Sequence, residues 1–281
     1  MVNSLKRFFI SLYIFFCLAS VIQSFFLFIY HGFTLYLLGL LIAAAIPLSF
    51  FACLYLFSFP RTSKTLLPIT LIIFLALIPI LTYQYSSISE LVIGILLFLG
   101  WILYIYWYAV FEKRKINLSV KSPLPTYTLQ SPDNQPITNS FFIGSPVLYL
   151  FYRGNWCPLC MAQIKEIASQ YKQLSQIGVQ ITLISPQSQS HIHSLANKYN
   201  LPFHFLRDTN GTYARKLNIW QEQGTPLGFE LLGYHKDTVL PTVVITDSKG
   251  VVQFIHETDN YHLRPEPEVF IQILQKLNIS Q

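Results

Sequence analysis

Residues 147–160 read VLYLFYRGNWCPLC, and their pattern is the strongest indicator of the fold of the C-terminal half. The run Val147–Tyr152 is apolar and β-prone throughout, which is typical of a strand buried on both faces. Pro158 suits the first position of a helix, and apolar residues recur at helical spacing up to Gly178, which ends the helix. A buried strand, a turn at Arg153–Trp156 and then a helix predict an α/β domain, with Cys157 at the junction of strand and helix.

The chain beyond this helix continues to alternate between strand and helix patterns. Strands are predicted at Val179–Ser185, Phe203–Leu206, Thr242–Thr246 and Val251–Ile255, and helices at Ser188–Tyr199 and Pro267–Leu277. The last two strands flank Asp247–Gly250, which is typical of a β-hairpin. Asn117–Asn139 is rich in Pro, Ser, Thr and Asn and is interpreted as a linker. The order predicts a three-layer α/β domain with a mixed central sheet.

The first 115 residues have the composition of a membrane segment. No Asp, Glu, Lys or Arg occurs from Phe8 to Phe59, an uncharged length that soluble domains lack. Four spans are predicted, at Phe8–Tyr30, Phe33–Phe59, Thr65–Tyr83 and Leu91–Phe111. A cleaved signal peptide is the rival interpretation of the first span, and the three spans that follow disfavour it. We expect a four-helix anchor in the lipid bilayer over residues 1–115 and a redox domain over 116–281.

The basic residues predict an orientation rather than a nucleic-acid partner. The net charge is +6, but twelve of the 19 basic and eleven of the 13 acidic residues lie beyond residue 115, which leaves the C-terminal half nearly neutral. The other basic residues lie before span one, between spans two and three and after span four, at Lys6, Arg7, Arg61, Lys64, Lys113, Arg114 and Lys115. The positive-inside rule then predicts that both termini and the redox domain are cytoplasmic, provided that the span count is even.

Four cysteines are too few for a disulfide-stapled secreted domain, and Cys17 and Cys53 fall within predicted spans. The remaining pair, Cys157 and Cys160, would share one face of the helix. The helix N-terminus would lower the pKa of Cys157 and make it reactive. We therefore predict that Cys157 attacks a disulfide and that Cys160 resolves the mixed disulfide.

Other interpretations of the cysteines stay open. Zinc binding would require two more ligands, for which His191 and His193 are the candidates, and a structurally inert pair is a further possibility. Cys17 and Cys53 could form a transmembrane electron relay, although free cysteines in apolar helices are usually small packing residues. A non-catalytic interaction module is disfavoured because only chemistry requires such a pair at a helix start. No metal and no cofactor are predicted.

The active-site segment Phe151–Cys160 resembles that of the peroxiredoxin-like branch of the thioredoxin superfamily, the alkyl hydroperoxide reductase and thiol-specific antioxidant (AhpC/TSA) group. Leu240–Gly250 is similar to a later strand and turn of that group, and Glu266–Pro267 to the start of its final helix. The resemblance covers roughly Leu124–Leu277. It implies a thioredoxin-like fold, an antioxidant thiol-dependent oxidoreductase, a disulfide or peroxide substrate, and a reductant of the thioredoxin or glutathione type.

The chain departs from the peroxiredoxin pattern around the reacting sulfur. In that comparison Cys160 takes the peroxidatic position, whereas Cys157 and Arg153 replace a Thr and a Pro. Pro241 stands near the place of the peroxiredoxin Arg. Compared with thioredoxins, Trp156 and Cys157 match the Trp and the nucleophilic Cys, and Pro241 matches the cis-proline that faces the disulfide. Because the Thr and Arg that orient peroxide are missing, disulfide exchange is preferred; the alternative is a peroxidase in which Cys160 is peroxidatic and Cys157 resolving.

Two further segments carry weaker expectations. His235, His256 and His262 are expected on solvated loops. Trp220–Val239 is longer than a simple connection, so it either caps the redox centre or forms an ordinary surface loop.

Overall fold

The computed structural model describes residues 2–82, 88–111 and 115–279. The chain divides into two compact units. The helical unit comprises Met1–Ser58, Thr62–Phe111 and Asn260–His262, and the α/β unit comprises Phe59–Arg61, Glu112–Asp259 and Leu263–Gln281. The boundary between residues 115 and 116 remains a proposal about how the chain is organised.

The helical unit is built from apolar helices that pack through small residues and aromatic rings. Its helices are α1 (Val2–His31), α2 (Leu35–Leu56), α3 (Leu67–Thr82) and α4 (Ile88–Leu103), which continues as a π-helical turn over Tyr104–Tyr108. A Cβ at Gly100 would collide with the ring of Tyr13, so this glycine permits close approach of α1 and α4. The Tyr13 hydroxyl donates a hydrogen bond to the Leu97 carbonyl, at 2.9 Å.

Three of these helical segments are long and apolar enough to cross a membrane: Val2–His31, Leu35–Leu56 and Ile88–Tyr108. The 16 residues of α3 extend over about 24 Å at about 1.5 Å per residue, which is less than the roughly 30 Å of hydrocarbon. The prediction of four spans is therefore supported for three, and the remaining one stays a prediction. The predicted end of that span at Tyr83, the start of the loop at Gln84, and the basic residues Lys113 and Arg114 lie outside the described residues.

The α/β unit contains a seven-stranded mixed sheet. Its strands are β1 (Thr128–Gln130), β2 (Pro136–Thr138), β3 (Val147–Phe151), β4 (Gln180–Ser185), β5 (His204–Arg207), β8 (Thr242–Thr246) and β9 (Val252–Glu257). They lie side by side in the order β2-β1-β5-β4-β3-β8-β9. A separate two-stranded ribbon pairs β6 (Trp220–Gln221) with β7 (Thr238–Val239). Strands β3, β4 and β5 run parallel, and the other pairs in the main sheet are antiparallel. The predicted mixed central sheet is confirmed.

The helices of this unit are α5 (Pro158–Ser169), α6 (Tyr171–Gln176), α7 (Gln189–Tyr199), α8 (Thr212–Lys216) and α9 (Pro267–Ile279). The helix predicted after Pro158 is interrupted at Gln170, whose backbone leaves the helical region (φ −93°, ψ 5°). The interpretation of Asn117–Asn139 as a linker is wrong for its second half, which forms β1 and β2. Three-residue strands are too short to produce a detectable alternation of apolar and polar residues.

The expectation of three histidines on solvated loops is wrong for two of them. His256 lies within β9, and His262 is fully buried, with its Nδ1 2.8 Å from the Thr62 hydroxyl oxygen. His235 is exposed, as expected. A partner distant in sequence therefore positions His262, which no local pattern could indicate.

Candidate active site

Cys157 lies where the buried strand β3 gives way to helix α5. It is the N-cap residue of α5, with an extended backbone (φ −88°, ψ 107°), and Pro158 follows in the first turn. The backbone N–H of Cys160 donates to Sγ of Cys157 at 3.3 Å, so the sulfur takes the role that an N-cap oxygen usually has. The predicted placement of the pair at the strand–helix junction is confirmed.

The surroundings of Cys157 favour its thiolate. Both cysteines are buried free thiols, and burial by itself raises the pKa of Cys157. The hydrogen bond from the Cys160 side chain, the positive charges of Arg153 and Arg264, and the Cys160 N–H act in the opposite direction and outweigh burial. The pKa of Cys157 is consequently lowered to about 6.

Cys160 shows the opposite shift. Burial raises its pKa well above the usual value, and the hydrogen bond and negative charge of Cys157 raise it further. Arg264 and a backbone hydrogen bond from Arg153 reduce this rise only in part. Cys157 therefore ionises first, and Cys160 keeps its proton.

Arg153 connects the active-site loop to the segment that follows β6. Its guanidinium donates to the Gly224 carbonyl and lies 3.5 Å from the side-chain oxygen of Gln221. Its own carbonyl accepts a 2.7 Å hydrogen bond from the Thr238 hydroxyl. Its guanidinium carbon lies 4.7 Å from the centre of the Trp156 ring, a cation–π geometry that fixes the plane of both groups.

Segment 220–239 covers this loop on its outer side. Besides the contacts to Arg153, the ring of Phe229 lies 5.4 Å from that of Trp156. Trp156 is only 6% exposed, and Cys157 has no exposed surface. Of the two interpretations of this segment, the structure favours the cap.

A hydrogen-bonded network fixes the loop between β3 and Cys157. The Gln187 side-chain nitrogen donates to the Tyr152 hydroxyl (3.0 Å) and to the Asn155 side-chain oxygen (2.8 Å), and the Gln187 oxygen accepts from the Asn155 backbone N–H (2.9 Å). Gly154 has φ +153°, and a Cβ there would lie 2.8 Å from Nε1 of Trp156. Only glycine therefore lets Trp156 pack back over the loop.

Two residues that contribute to the site were not predicted from the sequence. Arg264 lies between β9 and α9, is buried, and donates to the Leu263 carbonyl at 2.7 Å. Its charge lowers the pKa of Cys157, yet nothing in its local sequence marks it as part of the site. Gln187, in the loop after β4, has no local signal either, because its partners precede it by over thirty residues.

Pro241 precedes β8, whose first residue Thr242 pairs with Phe151 at the end of β3. It therefore lies at the same end of the sheet as the cysteine loop. The expected cis bond is not formed, since the Leu240–Pro241 peptide is trans. Leu240 instead donates its N–H to the Ile219 carbonyl at 2.8 Å, which continues the extended ribbon directly into β8.

The histidines considered as zinc ligands have other contacts. The ring of His191 stacks on Tyr234 with 4.0 Å between centroids, and Nδ1 of His193 lies 3.1 Å from the Asn197 side-chain nitrogen. Within residues 2–82, 88–111 and 115–279, no cluster of three or more His, Cys, Asp or Glu side chains is arranged to hold a metal ion.

Comparison with known proteins identifies relatives of the α/β unit. A family model described as the AhpC/TSA family matches residues 120–255. "Peroxiredoxin Q, chloroplastic" from Populus jackii is 32% identical over 157 residues, 54% of this chain and 66% of that protein. The protein of the same name from Sedum lineare is 31% identical over 157 residues, 54% of this chain and 76% of that protein. The chain thus spans about two thirds to three quarters of these relatives.

Among solved structures, peroxidoxin BcpB from Mycobacterium tuberculosis aligns with a TM-score of 0.49 and 15% identity, covering 57% of this chain and 99% of that one. The sequence relatives are peroxiredoxins by name, which supports a thiol-dependent peroxidase or oxidoreductase activity. The chain belongs to the AhpC/TSA family, as a peroxiredoxin-like member of the thioredoxin superfamily.

Proposed function

We propose that this protein is a membrane-anchored thiol–disulfide oxidoreductase in which Cys157 is the nucleophile and Cys160 the resolving cysteine. The observation that carries the proposal is the N-cap position of Cys157, whose Sγ accepts a hydrogen bond from the Cys160 N–H at 3.3 Å. In keeping with it, the pKa of Cys157 is lowered to about 6 and that of Cys160 is raised. At neutral pH this pair has one thiolate ready to attack and one thiol that retains its proton. That division of roles is what a dithiol needs to reduce a disulfide in two steps.

In the first step the Cys157 thiolate attacks one sulfur of the substrate disulfide. A Cys157–substrate disulfide forms, the substrate S–S bond breaks, and the departing sulfur leaves as a thiolate that takes a proton from solvent. Arg153 and Arg264 stabilise the attacking thiolate, and the N–H of Cys160 orients its sulfur.

In the second step Cys160 loses its proton and attacks Sγ of Cys157. The second substrate thiol departs, and a Cys157–Cys160 disulfide remains. Burial is the main cause of the raised pKa of Cys160, but the hydrogen bond and charge of Cys157 contribute as well. Both contributions end when Cys157 enters the mixed disulfide. The pKa of Cys160 then falls, and its deprotonation for the second step becomes easier. A thioredoxin- or glutathione-type thiol then supplies two electrons and two protons to regenerate the dithiol.

We propose supporting roles for four neighbours of the pair. Pro158 begins α5 and thereby places Cys157 at the helix N-terminus. Trp156 and Arg153 pack on each other and connect the loop to segment 220–239. Pro241 lies beside the same strand end and would face an incoming substrate.

The proposed setting is a four-span anchor over residues 1–115 that presents the redox domain, residues 116–281, on the cytoplasmic side. Three helices of sufficient length and apolarity support membrane anchoring. The pattern of basic residues supports the orientation. In the cytoplasm the pair would rest as a dithiol, which is the form that reduces disulfides.

Family membership favours a second candidate, a thiol peroxidase. Cys160 aligns with the peroxidatic position of the peroxiredoxin pattern, and the curated relatives are named peroxiredoxins. In that reaction a Cys160 thiolate attacks the peroxide O–O bond, forming a sulfenic acid and releasing water or an alcohol. Cys157 then attacks this sulfur, and water leaves as the disulfide forms. The raised pKa of Cys160 argues against it as the first nucleophile.

The two candidates are separated by the oxidation kinetics of the full-length protein in detergent micelles. The reduced protein is mixed with equal concentrations of hydrogen peroxide or a small aromatic disulfide, and quenched samples are analysed by mass spectrometry. Faster oxidation by the disulfide, with the transient adduct on Cys157, is expected for the oxidoreductase. Faster oxidation by peroxide, with a sulfenic acid on Cys160, would instead establish the peroxidase.

A further inference from the structure

The α/β unit contains a cavity that the redox chemistry does not use. Its volume is about 160 Å³, and its lining includes Pro186, Arg207, Arg215, Trp220, His235 and Asp237. At about 30 Å³ per water molecule, this space corresponds to roughly five waters. It is smaller than the roughly 300–1,000 Å³ of sites for drug-sized ligands, so its size suits a small metabolite.

Two guanidinium groups bring positive charge to the cavity. Arg207 ends β5, and its Nε is buried with no hydrogen-bond acceptor in the described part of the chain. The guanidinium of Arg215 stacks 4.5 Å from the centre of the Trp220 ring. Its Nη1 lies 3.4 Å from an oxygen of Glu222, and both side chains of this ion pair are substantially exposed. Such a pair is weak, so Arg215 can still bind an incoming anion.

Asp237 adds a carboxylate to the same cavity. One of its oxygens accepts a 2.8 Å hydrogen bond from the Gln223 backbone N–H, which fixes the side chain in place. Planar guanidinium groups match a carboxylate ligand with two parallel hydrogen bonds. A carboxylate in the wall repels a doubly charged anion such as phosphate and attracts an ammonium group. Charges of both signs in so small a space are complementary to a zwitterion.

We propose that this cavity is a binding site for a small amino-acid zwitterion. Arg207 and Arg215 hold its carboxylate, Asp237 holds its ammonium group, and Trp220 and Pro186 contact its side chain. The proposal goes beyond the proposed redox function and does not depend on it.

The ribbon formed by β6 and β7 separates this site from the cysteines. Trp220 lines the cavity, whereas the side chain of the next residue, Gln221, approaches Arg153. The same alternation occurs at the start of the opposite strand, where Asp237, just before β7, lines the cavity and Thr238 bonds to Arg153. Binding can therefore be measured on a protein that lacks both reactive thiols.

The test uses full-length protein in detergent micelles carrying Cys157→Ser and Cys160→Ser. Each of the twenty standard amino acids is titrated by calorimetry, followed by inorganic phosphate. For the tightest amino acid, two analogues are added: the amine that lacks its carboxylate and the acid that lacks its ammonium group. We expect at least one amino acid to bind with a Kd below about 1 mM and both analogues to bind at least about tenfold more weakly.

Variants of the lining residues test whether the amino acid binds in this cavity. Arg207→Gln and Arg215→Gln should each weaken amino-acid binding by about tenfold or more, whereas Lys198→Gln, on α7 and outside the cavity, should leave it unchanged. Asp237→Asn keeps an acceptor for Gln223, so the fold is preserved; it should weaken binding of the amino acid but not of the deaminated acid. The proposal would be overturned by no amino-acid binding below 10 mM, by binding of phosphate alone, or by affinities that none of these variants changes.

Discussion

The backbone N–H of Cys160 points at the sulfur of Cys157 from a distance of 3.3 Å. This contact requires Cys157 to be the N-cap of α5, because only an N-cap side chain can reach a free N–H in the first helical turn. This hydrogen bond therefore links the start of helix α5 to the reactivity of the Cys157 sulfur. The same turn that starts the helix stabilises negative charge on the sulfur that we propose begins the reaction.

The pH dependence of alkylation should reveal this stabilisation. Because the pKa of Cys157 is lowered to about 6, its thiolate persists above that pH and is lost as the pH falls through it. The rate of iodoacetamide labelling of Cys157, located by tandem mass spectrometry, should rise with pH and be half-maximal near pH 6. An unstructured cysteine titrates near pH 8.5, so a midpoint at or above that value would contradict the assignment.

Arg264 should sustain this low pKa. Arg264→Gln removes a nearby positive charge, and such charges typically shift a pKa by about 1–3 units. Labelling of Cys157 at pH 6 should therefore slow by about tenfold, while the rate at pH 9.5 should change little. Lys198→Gln serves as the control, because Lys198 lies on α7 and is not among the charges that lower the pKa of Cys157. Equal labelling rates in the two variants at pH 6 would show that Arg264 does not lower the pKa of Cys157.

Sequence reasoning identified the parts of this site that are continuous in the chain. The apolar run Val147–Tyr152 predicted a doubly buried strand, and the structure has β3 at Val147–Phe151 with every residue buried. The position of Pro158 predicted the helix start. The six apolar residues and Pro158 lie in one continuous stretch of sequence, so local patterns alone indicate both elements.

Features that depend on contacts distant in sequence were not predictable in this way. Arg264 and Gln187 reach the cysteine loop from after β9 and after β4 respectively, and neither has a local signature. The Leu240–Pro241 peptide is trans, whereas the resemblance to thioredoxins implied a cis bond. Local sequence patterns indicate where helices and strands form. Contacts between residues distant in sequence determine which side chains meet at the site.

Span number can be tested by labelling introduced cysteines. In a variant with all four native cysteines replaced by Ser, Ser86→Cys and Lys64→Cys would lie on opposite sides of the membrane if α3 crosses it. An impermeant maleimide added to intact cells should then label position 86 and not position 64. Labelling of both positions, or of neither, would show that α3 does not span. Labelling of position 64 alone would reverse the predicted orientation.

Cys17 and Cys53 should be dispensable for the reaction. Cys17 is fully buried and Cys53 partly buried in the helical unit, and both are free thiols, as expected of packing residues. The double variant Cys17→Ser/Cys53→Ser should retain full disulfide reductase activity in native membranes. A large loss with an unchanged thermal midpoint would support the electron relay instead.

Single-cysteine variants of the reacting pair test most directly which thiol is the nucleophile. Full-length Cys160→Ser and Cys157→Ser proteins are mixed at pH 7 with an aromatic disulfide, and the adduct is located by mass spectrometry. Cys160→Ser should rapidly form a stable mixed disulfide on Cys157, because the resolving thiol is missing. Cys157→Ser should react at least about tenfold more slowly, because Cys160 remains protonated in its buried site. Faster reaction of Cys157→Ser would show that Cys160 is the nucleophile and would contradict the account.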